Sequence, residues 1–285
     1  MKENKIKNTI LNIIRGFLIG ATDVIPGVSG STTALILRVY HRFIHALKGL
    51  TSNIIPFKPK EWDSRFLIPL FLGIGLAVIS MSKVIPYAID EHPNATFSFF
   101  FGLISMSALT LLPNAKTSKR VALSLLWGLL GFLLAFLLTG MTTIQTSHSY
   151  FFLFISGFFA ITAMLLPGVS GSFVLLMLGQ YKFVFESIHM VADRFWYLFA
   201  LGIGILVGVK TTSTAIDFFL RKHKAKTMAF LIGLMLGALR LPYQRINNAL
   251  SQGSSIWISG FFILIGVSVI FMLNKVSNWR KKEVK

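Results

Sequence analysis

The sequence predicts an all-α polytopic membrane protein made of two inverted repeats, each a re-entrant helical hairpin followed by three transmembrane helices. Three observations carry that prediction: apolar residues gathered in long blocks, an identical hexapeptide that interrupts two of those blocks, and a one-sided placement of the basic residues between them. Of 285 residues, 54% are hydrophobic and 13% charged, against about 45–50% and about 25% in soluble domains. Mean hydropathy is +0.71. A soluble enzyme is excluded, because one soluble core of this size cannot hide such blocks. The net charge of +18 does not indicate a nucleic-acid partner. A reader of nucleic acid carries its charge on a patch or groove, whereas here it sits in short runs between apolar blocks. With no cysteine there is no disulfide framework, thiolate metal site or thiol nucleophile.

Met1 to Asn8 is basic, but the apolar stretch after it is broken by Arg15, Asp23 and Pro26 and no small-x-small cleavage site follows, so it is not read as a cleavable signal. The first hairpin runs from Ile10 to about Lys48 and is interrupted at Asp23–Ser31; the second runs from Tyr150 to about Met190 and is interrupted at Pro167–Ser172. Each arm is about 15 residues, too short to cross roughly 30 Å of hydrocarbon alone. Proline and glycine end the first arm and a serine caps the next. Irregular backbone at membrane depth is tolerated only where protein or a polar cavity surrounds it. Six segments are long enough, or nearly so, to span: Phe66–Ile89, Thr96–Leu112, Val121–Gly140, Trp196–Phe219, Thr227–Leu241 and Ile256–Leu273. The fifth is short and is expected to extend or tilt.

The hexapeptide PGVSGS occurs at Pro26–Ser31 and Pro167–Ser172, and the likeness continues through Tyr40 and Tyr181, Leu72-Gly-Ile-Gly75 and Leu201-Gly-Ile-Gly204, and Lys83…Ala88-Ile-Asp90 and Lys210…Ala215-Ile-Asp217. Residues 1–140 and 141–285 are therefore read as tandem repeats. A hairpin returns to its own side and three spans cross an odd number of times, so the second repeat is expected upside down. With the N-terminus inside, Lys2–Lys7, Lys48–Arg65, Lys116–Arg120, Arg221–Lys226 and the Lys275–Lys285 tail are cytoplasmic, while Asp90-Glu91-His92, the Lys/Arg-free Gly140–Ser149 loop, Asp193-Arg194 and Arg245 lie outside. The positive-inside rule is satisfied, and inverted repeats with broken helices form a transporter architecture.

The two hairpin tips are the candidate anion site. Gly27, Gly30, Gly168 and Gly171 let backbone turn and a ligand approach, Ser29, Ser31, Thr32, Ser170 and Ser172 offer hydroxyls, and a helix start directs free N–H groups at a phosphate. The alternative is a tight loop that caps its own helix. An ionised side chain at mid-span costs about 2.5–3.5 kcal/mol on insertion scales, which singles out Arg15, Asp23, Lys83 and Lys210; Arg38 and Arg240 lie nearer the surfaces. The two lysines are read as repeat mates that hold a phosphate from two directions, and Asp23 as a candidate proton carrier. The alternatives are snorkelling lysines and a structural Arg15–Asp23 pair. His41 and His45 share a helix face without a third ligand, so interfacial packing rather than metal is expected. The Gly-Ile-Gly motifs are expected at close helix contacts.

With these residues in view, the sequence resembles the bacterial polyprenyl-phosphate transporter family. The resemblance rests on Gly20-Ala-Thr-Asp-Val-Ile-Pro-Gly-Val-Ser-Gly-Ser-Thr32 with Tyr40, and on Pro167-Gly-Val-Ser-Gly-Ser-Phe173 with Gly179 and Tyr181, and covers roughly Ile10 to Asn274. Ser31 stands where the family usually has a second glycine, and Arg38 where it has a small residue, often glycine. The resemblance implies a flippase in the bacterial cytoplasmic membrane, with both termini cytoplasmic. It would move undecaprenyl phosphate from the outer to the cytoplasmic leaflet, recycling the carrier for envelope polymers. The implied partners are the lipid and the bilayer, with no cofactor and no metal; a homo-oligomer stays open. Two other classes stay open as well. A transporter of a small soluble anion would use the same helix ends. Membrane undecaprenyl-diphosphate phosphatases share inverted hairpins and a Pro-Gly-x-Ser-Arg-Ser motif, but Gly30 and Gly171 replace the arginine here. The five glutamates, Glu3, Glu61, Glu91, Glu186 and Glu283, are loop or helix-end residues, so an intramembrane acid–base pair is missing.

Overall fold

Residues 2–23, 29–52, 63–115, 121–141 and 147–283 are described by the computed structural model, and among them every regular element is a helix. The first half holds α1 (Lys2–Asp23), α2 (Gly30–Ile36), α3 (Tyr40–Ser52), α4 (Ser64–Glu91), α5 (Pro93–Ala115) and α6 (Val121–Leu138). The second holds α7 (Tyr150–Leu165), α8 (Gly171–Met177), α9 (Tyr181–His189), α10 (Val191–Lys222), α11 (Lys224–Ala238), α12 (Arg240–Ser251) and α13 (Ile256–Glu283). Among the described residues four apolar runs are long enough to cross a membrane by length and composition: Ser64–Met81, Pro93–Pro113, Val191–Lys222 and Lys224–Ser251. Leu123–Leu138, Tyr150–Leu165 and Ile256–Met272 are shorter apolar helices. The basic residues Lys58, Lys60, Lys116, Lys119 and Arg120 lie outside the described residues.

Two elements differ from expectation. The span expected at Thr227–Leu241 begins at Lys224 and runs on through α12, which buries Pro242, Ile246 and Ala249 against α5. Arg240 sits at the joint, donates to the Phe136 carbonyl at 2.8 Å and lies 4.4 Å over the Phe136 ring. It caps the last carbonyls of α6, where a cation suits the helix dipole. The returning arm of each hairpin, expected as one helix, is broken again. Val39 N–H donates to Ala34 O at 3.0 Å and Gln180 N–H to Leu175 O at 2.9 Å, the six-to-one bond of a Schellman end. Its left-handed residue is Gly179 (φ +66°) in one half and Arg38 (φ +58°) in the other. A side chain there costs about 1–2 kcal/mol, which explains why glycine is usual at this position.

Helix directions follow from the notches that glycines make. Along α1 and α4, Gly73 faces Ile13 and Gly20 faces Ala77; along α7 and α10, Gly204 faces Phe154 and Gly208 faces Ile161. Both pairs therefore run in the same direction, so in each half the two short helices between them bring the chain back to its starting end. α6 runs parallel to α11, with Gly131 against Phe230 and Gly237 against Phe132. α5 runs parallel to α13: Gly102 meets Ile263, Gly266 meets Phe99, and Asn94 bonds Ser255 and Ser259 at 3.1 and 2.6 Å. Of the Gly-Ile-Gly motifs, Gly73 and Gly204 make the close contacts while Gly75 and Gly202 face open space.

That packing register revises the repeat alignment. Leu70 meets Gly16 as Leu201 meets Gly157, and Gly73 meets Ile13 as Gly204 meets Phe154. It pairs Lys83 with Thr214 and Lys210 with Ile79, two residues away from the match of the Gly-Ile-Gly motifs. The lysines are thus not structural mates. One apolar core joins both halves, with Ile19, Tyr40, Phe66, Leu70, Leu165 and Leu234 among its buried members. Outward, α6 exposes Leu125, Leu129, Leu133 and Leu137, and α13 exposes Trp257, Phe261 and Leu264, an apolar exterior suited to lipid.

Candidate functional site

The two breaks meet. Ser29 and Ser170 have extended backbones just before α2 and α8, and Gly168 turns the second break at φ +88°, a conformation that favours glycine. Between the halves, Gly168 N–H donates to Thr32 Oγ1 at 2.9 Å, Ser29 Oγ donates to Leu166 O at 3.4 Å and Tyr40 OH donates to Leu165 O at 2.8 Å. Within each break the hydroxyls pair, Ser29 with Ser31 at 2.6 Å and Ser170 with Ser172 at 2.8 Å. Ser29 is 1% exposed and Thr32 2%, so the hydroxyls are shielded and satisfied by one another, as buried polar groups must be. Gly27 and its neighbours 24–28 lie outside the described residues.

The two helix starts differ. At α2 the Asp23 carboxylate accepts from Gly30 N–H at 2.6 Å, so the chain supplies its own anion there. A side chain at Gly30 would collide with that carboxylate. At α8 the corresponding residue is Met164, and Gly171 packs against Ala160 and Met164. Among the described residues the second helix start has no acid of this kind. Asp23 therefore does not pair with Arg15, the structural alternative drawn from the sequence.

Arg15 lies elsewhere. Its guanidinium donates to Asn12 Oδ1 at 3.0 Å and lines a different cavity, with Asn8, Arg42 and Arg65. Eight residues of helix, about 12 Å, separate it from Asp23. Lys210 lies between Gly208, which faces Phe158 and Ile161, and Thr212, whose hydroxyl pairs with Thr162 at 2.8 Å. It is thus at the depth of Gly171, which packs on Ala160, but its side chain is exposed. Lys83 lies in α4, with its side chain outside the described ones. Asp217, read from the sequence as two turns from Lys210, instead binds Lys48 at 2.8 Å and Arg221 at 3.0 Å. His45 stands 2.8 Å from Arg221 and 3.4 Å from Asp217. This network ties α3 to α10 across the halves; neither helical spacing nor motif signalled that link, because His45 and Lys48 are distant in the chain from Asp217 and Arg221. Among the described residues no group of three or more His, Asp or Glu is placed to hold a metal.

An apolar cavity of about 240 Å³ adjoins the first break, between α1, α2, α5 and α13. Leu18, Ile36, Phe99, Phe100, Leu103 and Ile270 are in its wall, with Thr22 and Thr33 its polar members, and those two hydroxyls are paired at 2.9 Å. Thr22 precedes the carboxylate that holds Gly30, so an apolar wall and the backbone N–H bonded to Asp23 are neighbours.

Residues 19–254 match the model of a family described as undecaprenyl phosphate translocase-like. A polyprenyl-phosphate transporter of Vibrio cholerae is 32% identical over 247 residues, covering 82% of this chain and 78% of that protein. A polyprenyl-phosphate transporter of Staphylococcus aureus is 36% identical over 244 residues, covering 80% and 84%. No solved structure matches. The apolar helices and these relatives make this a multi-pass membrane protein, and the chain belongs to the undecaprenyl phosphate translocase-like family.

Proposed function

We propose that the protein is a flippase that carries polyprenyl phosphate, undecaprenyl phosphate above all, from the outer to the cytoplasmic leaflet of a bacterial cytoplasmic membrane, returning the carrier to envelope polymer synthesis. The supporting observation is the junction of the two breaks beside an apolar cavity: hydroxyls and helix starts suit a phosphate, and the cavity wall suits an isoprenoid chain. That neighbouring apolar wall favours a lipid over a small soluble anion, since each buried CH₂ contributes about 0.8 kcal/mol.

In this reading the halves are inserted in opposite senses, with both breaks re-entrant and both termini cytoplasmic. Reciprocal parallel pairs support it. α6 runs with α11 and α5 with α13, so successive spans of one half match successive spans of the other in reverse orientation. The phosphate is taken by Ser29, Gly30, Ser31 and Thr32 on one side and by Gly168, Ser170, Gly171 and Ser172 on the other, after the hydroxyl pairs separate. Lys210, at the depth of Gly171, acts as an outer cation that draws the headgroup inward, and Lys83, about one helical turn beyond the matching position of α4, acts as a second. Asp23 must leave Gly30 for a phosphate oxygen to enter, and protonation of Asp23 weakens its hold. Inward movement of an anionic lipid works against an inside-negative potential at about 2.3 kcal/mol per charge per 100 mV, which a proton carried on Asp23 offsets.

The test is purified protein in liposomes. Polyprenyl phosphate should change leaflets without release of inorganic phosphate, and soluble phosphate should compete weakly. Phosphate release that scales with protein would replace the transporter by a phosphatase, and strong competition by soluble phosphate would replace the lipid by a small anion.

A further inference from the structure

We propose that a second cavity, at the N-terminal ends of α1 and α4, is a separate binding site for a phosphate monoester headgroup. It serves as the cytoplasmic station of the lipid whose passage is proposed above, and its end of the molecule is assigned on that reading. The cavity is about 610 Å³, inside the range of roughly 300–1,000 Å³ usual for ligand sites. Asn8, Asn12, Arg15, Arg42, Ser64 and Arg65 are in its wall, and among the described residues no acidic side chain is. The neighbouring carboxylate, Asp63, is already held by Arg42 through both oxygens, at 2.7 and 3.1 Å. Three guanidinium groups therefore face one space, and among the described residues Asp63 is the acid beside it. Like charges so gathered repel one another, and an anion in their midst removes the repulsion.

The donor chemistry selects phosphate. Guanidinium forks match the oxygens of a phosphate two at a time, and Ser64 and the asparagine amides supply neutral donors. Asn12 is 4% exposed and accepts from Arg15, which fixes that guanidinium before any ligand arrives and keeps the amide N–H₂ of Asn12 as a donor. A lipid is favoured over free phosphate by the remaining wall, Ile68 and Pro69. Ile68 is 54% exposed and Leu72, one turn further along α4, 57%, so an apolar strip leads outward from the arginines to where a chain would lie in the bilayer. α1 carries Arg15 at this station and Asp23 at the break, joining the two sites along one helix.

The experiment counts farnesyl phosphate bound to the full-length protein in detergent by native mass spectrometry. Wild type should bind two equivalents. Arg15→Gln with Arg65→Gln should lose one, weakened roughly tenfold or more per arginine, while Ser29→Ala with Ser170→Ala should keep it. Asn12→Asp, which places an acid beside Arg15 without truncating a guanidinium, should weaken the same equivalent and serves if the arginine variant does not fold. Two undiminished equivalents in the Arg15/Arg65 and Asn12→Asp variants would overturn the proposal. So would displacement by phosphatidylglycerol as readily as by farnesyl phosphate, which would make the cavity a general phospholipid contact. Equal displacement by inorganic phosphate would overturn the lipid assignment in favour of a soluble ion. If the serine variants keep both equivalents while the arginine variant loses one, the reading of the breaks fails and this cavity stands.

Discussion

At Gly30 the backbone N–H that a phosphate oxygen would meet is already bonded to Asp23, and in the proposed mechanism the release of this bond admits the phosphate. Asp23→Asn keeps an oxygen for Gly30 but removes the charge. The fold should persist, and transport in proteoliposomes should lose its dependence on an imposed pH gradient; equal gradient dependence would take Asp23 out of the mechanism. Sequence alone marks Asp23 as a deep acid but does not give its partner, because the bond crosses a break where helical spacing stops counting. Arg38 teaches the opposite lesson. It occupies the left-handed position that Gly179 fills in the other half, and its sequence hides a turn that Gly179 announces. Arg38→Gly should raise the unfolding temperature in detergent through a gain of about 1 kcal/mol, and Gly179→Ala should lower it by a similar amount.

Helices in this protein are fitted together by glycine notches, Gly73 and Gly204 within the motifs that make the repeat visible and others outside them. Gly131 of α6 lies against the Phe230 backbone and Gly233 of α11 against Gly128, so a branched side chain at either must push the helices apart. Gly131→Val should therefore sharply reduce protein recovered from membranes, whereas Gly260→Val, where the space is open, should not. The prolines and glycines of PGVSGS made both first breaks legible, and the apolar blocks made most of the long helices legible. The register of α4 and α10 was not. Their connections to the preceding helices differ in length, Ser52 to Ser64 against His189 to Val191, so equal residue counting slides one helix against its partner. The lysine match rested on a short string inside α4 and α10 and differs from the packing register by four residues, about one helical turn, and Arg15 lies at another cavity because twelve ångströms or so of rigid helix separate it from the break.

For the whole molecule, the sequence carried the meeting of the two halves through repetition alone: identical breaks in opposed hairpins should meet, and Thr32 with Gly168 and Ser29 with Leu166 show that they do. What repetition left unseen were the bonds between unlike residues, such as Lys48 with Asp217, which have no counterpart to reveal them. The proposed opposed insertion has a direct check in this cysteine-free chain. Single cysteines at Lys224 should label from the cytoplasm and at His92, Ser147 and Gly253 from outside. Labelling of Ser147 and Lys224 from one side would remove the inverted arrangement. The central claim, that the joined breaks hold the phosphate, is tested most directly by an experimental structure in nanodiscs with polyprenyl phosphate bound. The phosphate should lie within hydrogen-bonding distance of Ser29, Ser31, Ser170 and Ser172, with the Asp23 carboxylate withdrawn from Gly30. A headgroup bound only elsewhere, with Asp23 still on Gly30 and the serine pairs closed, would contradict it.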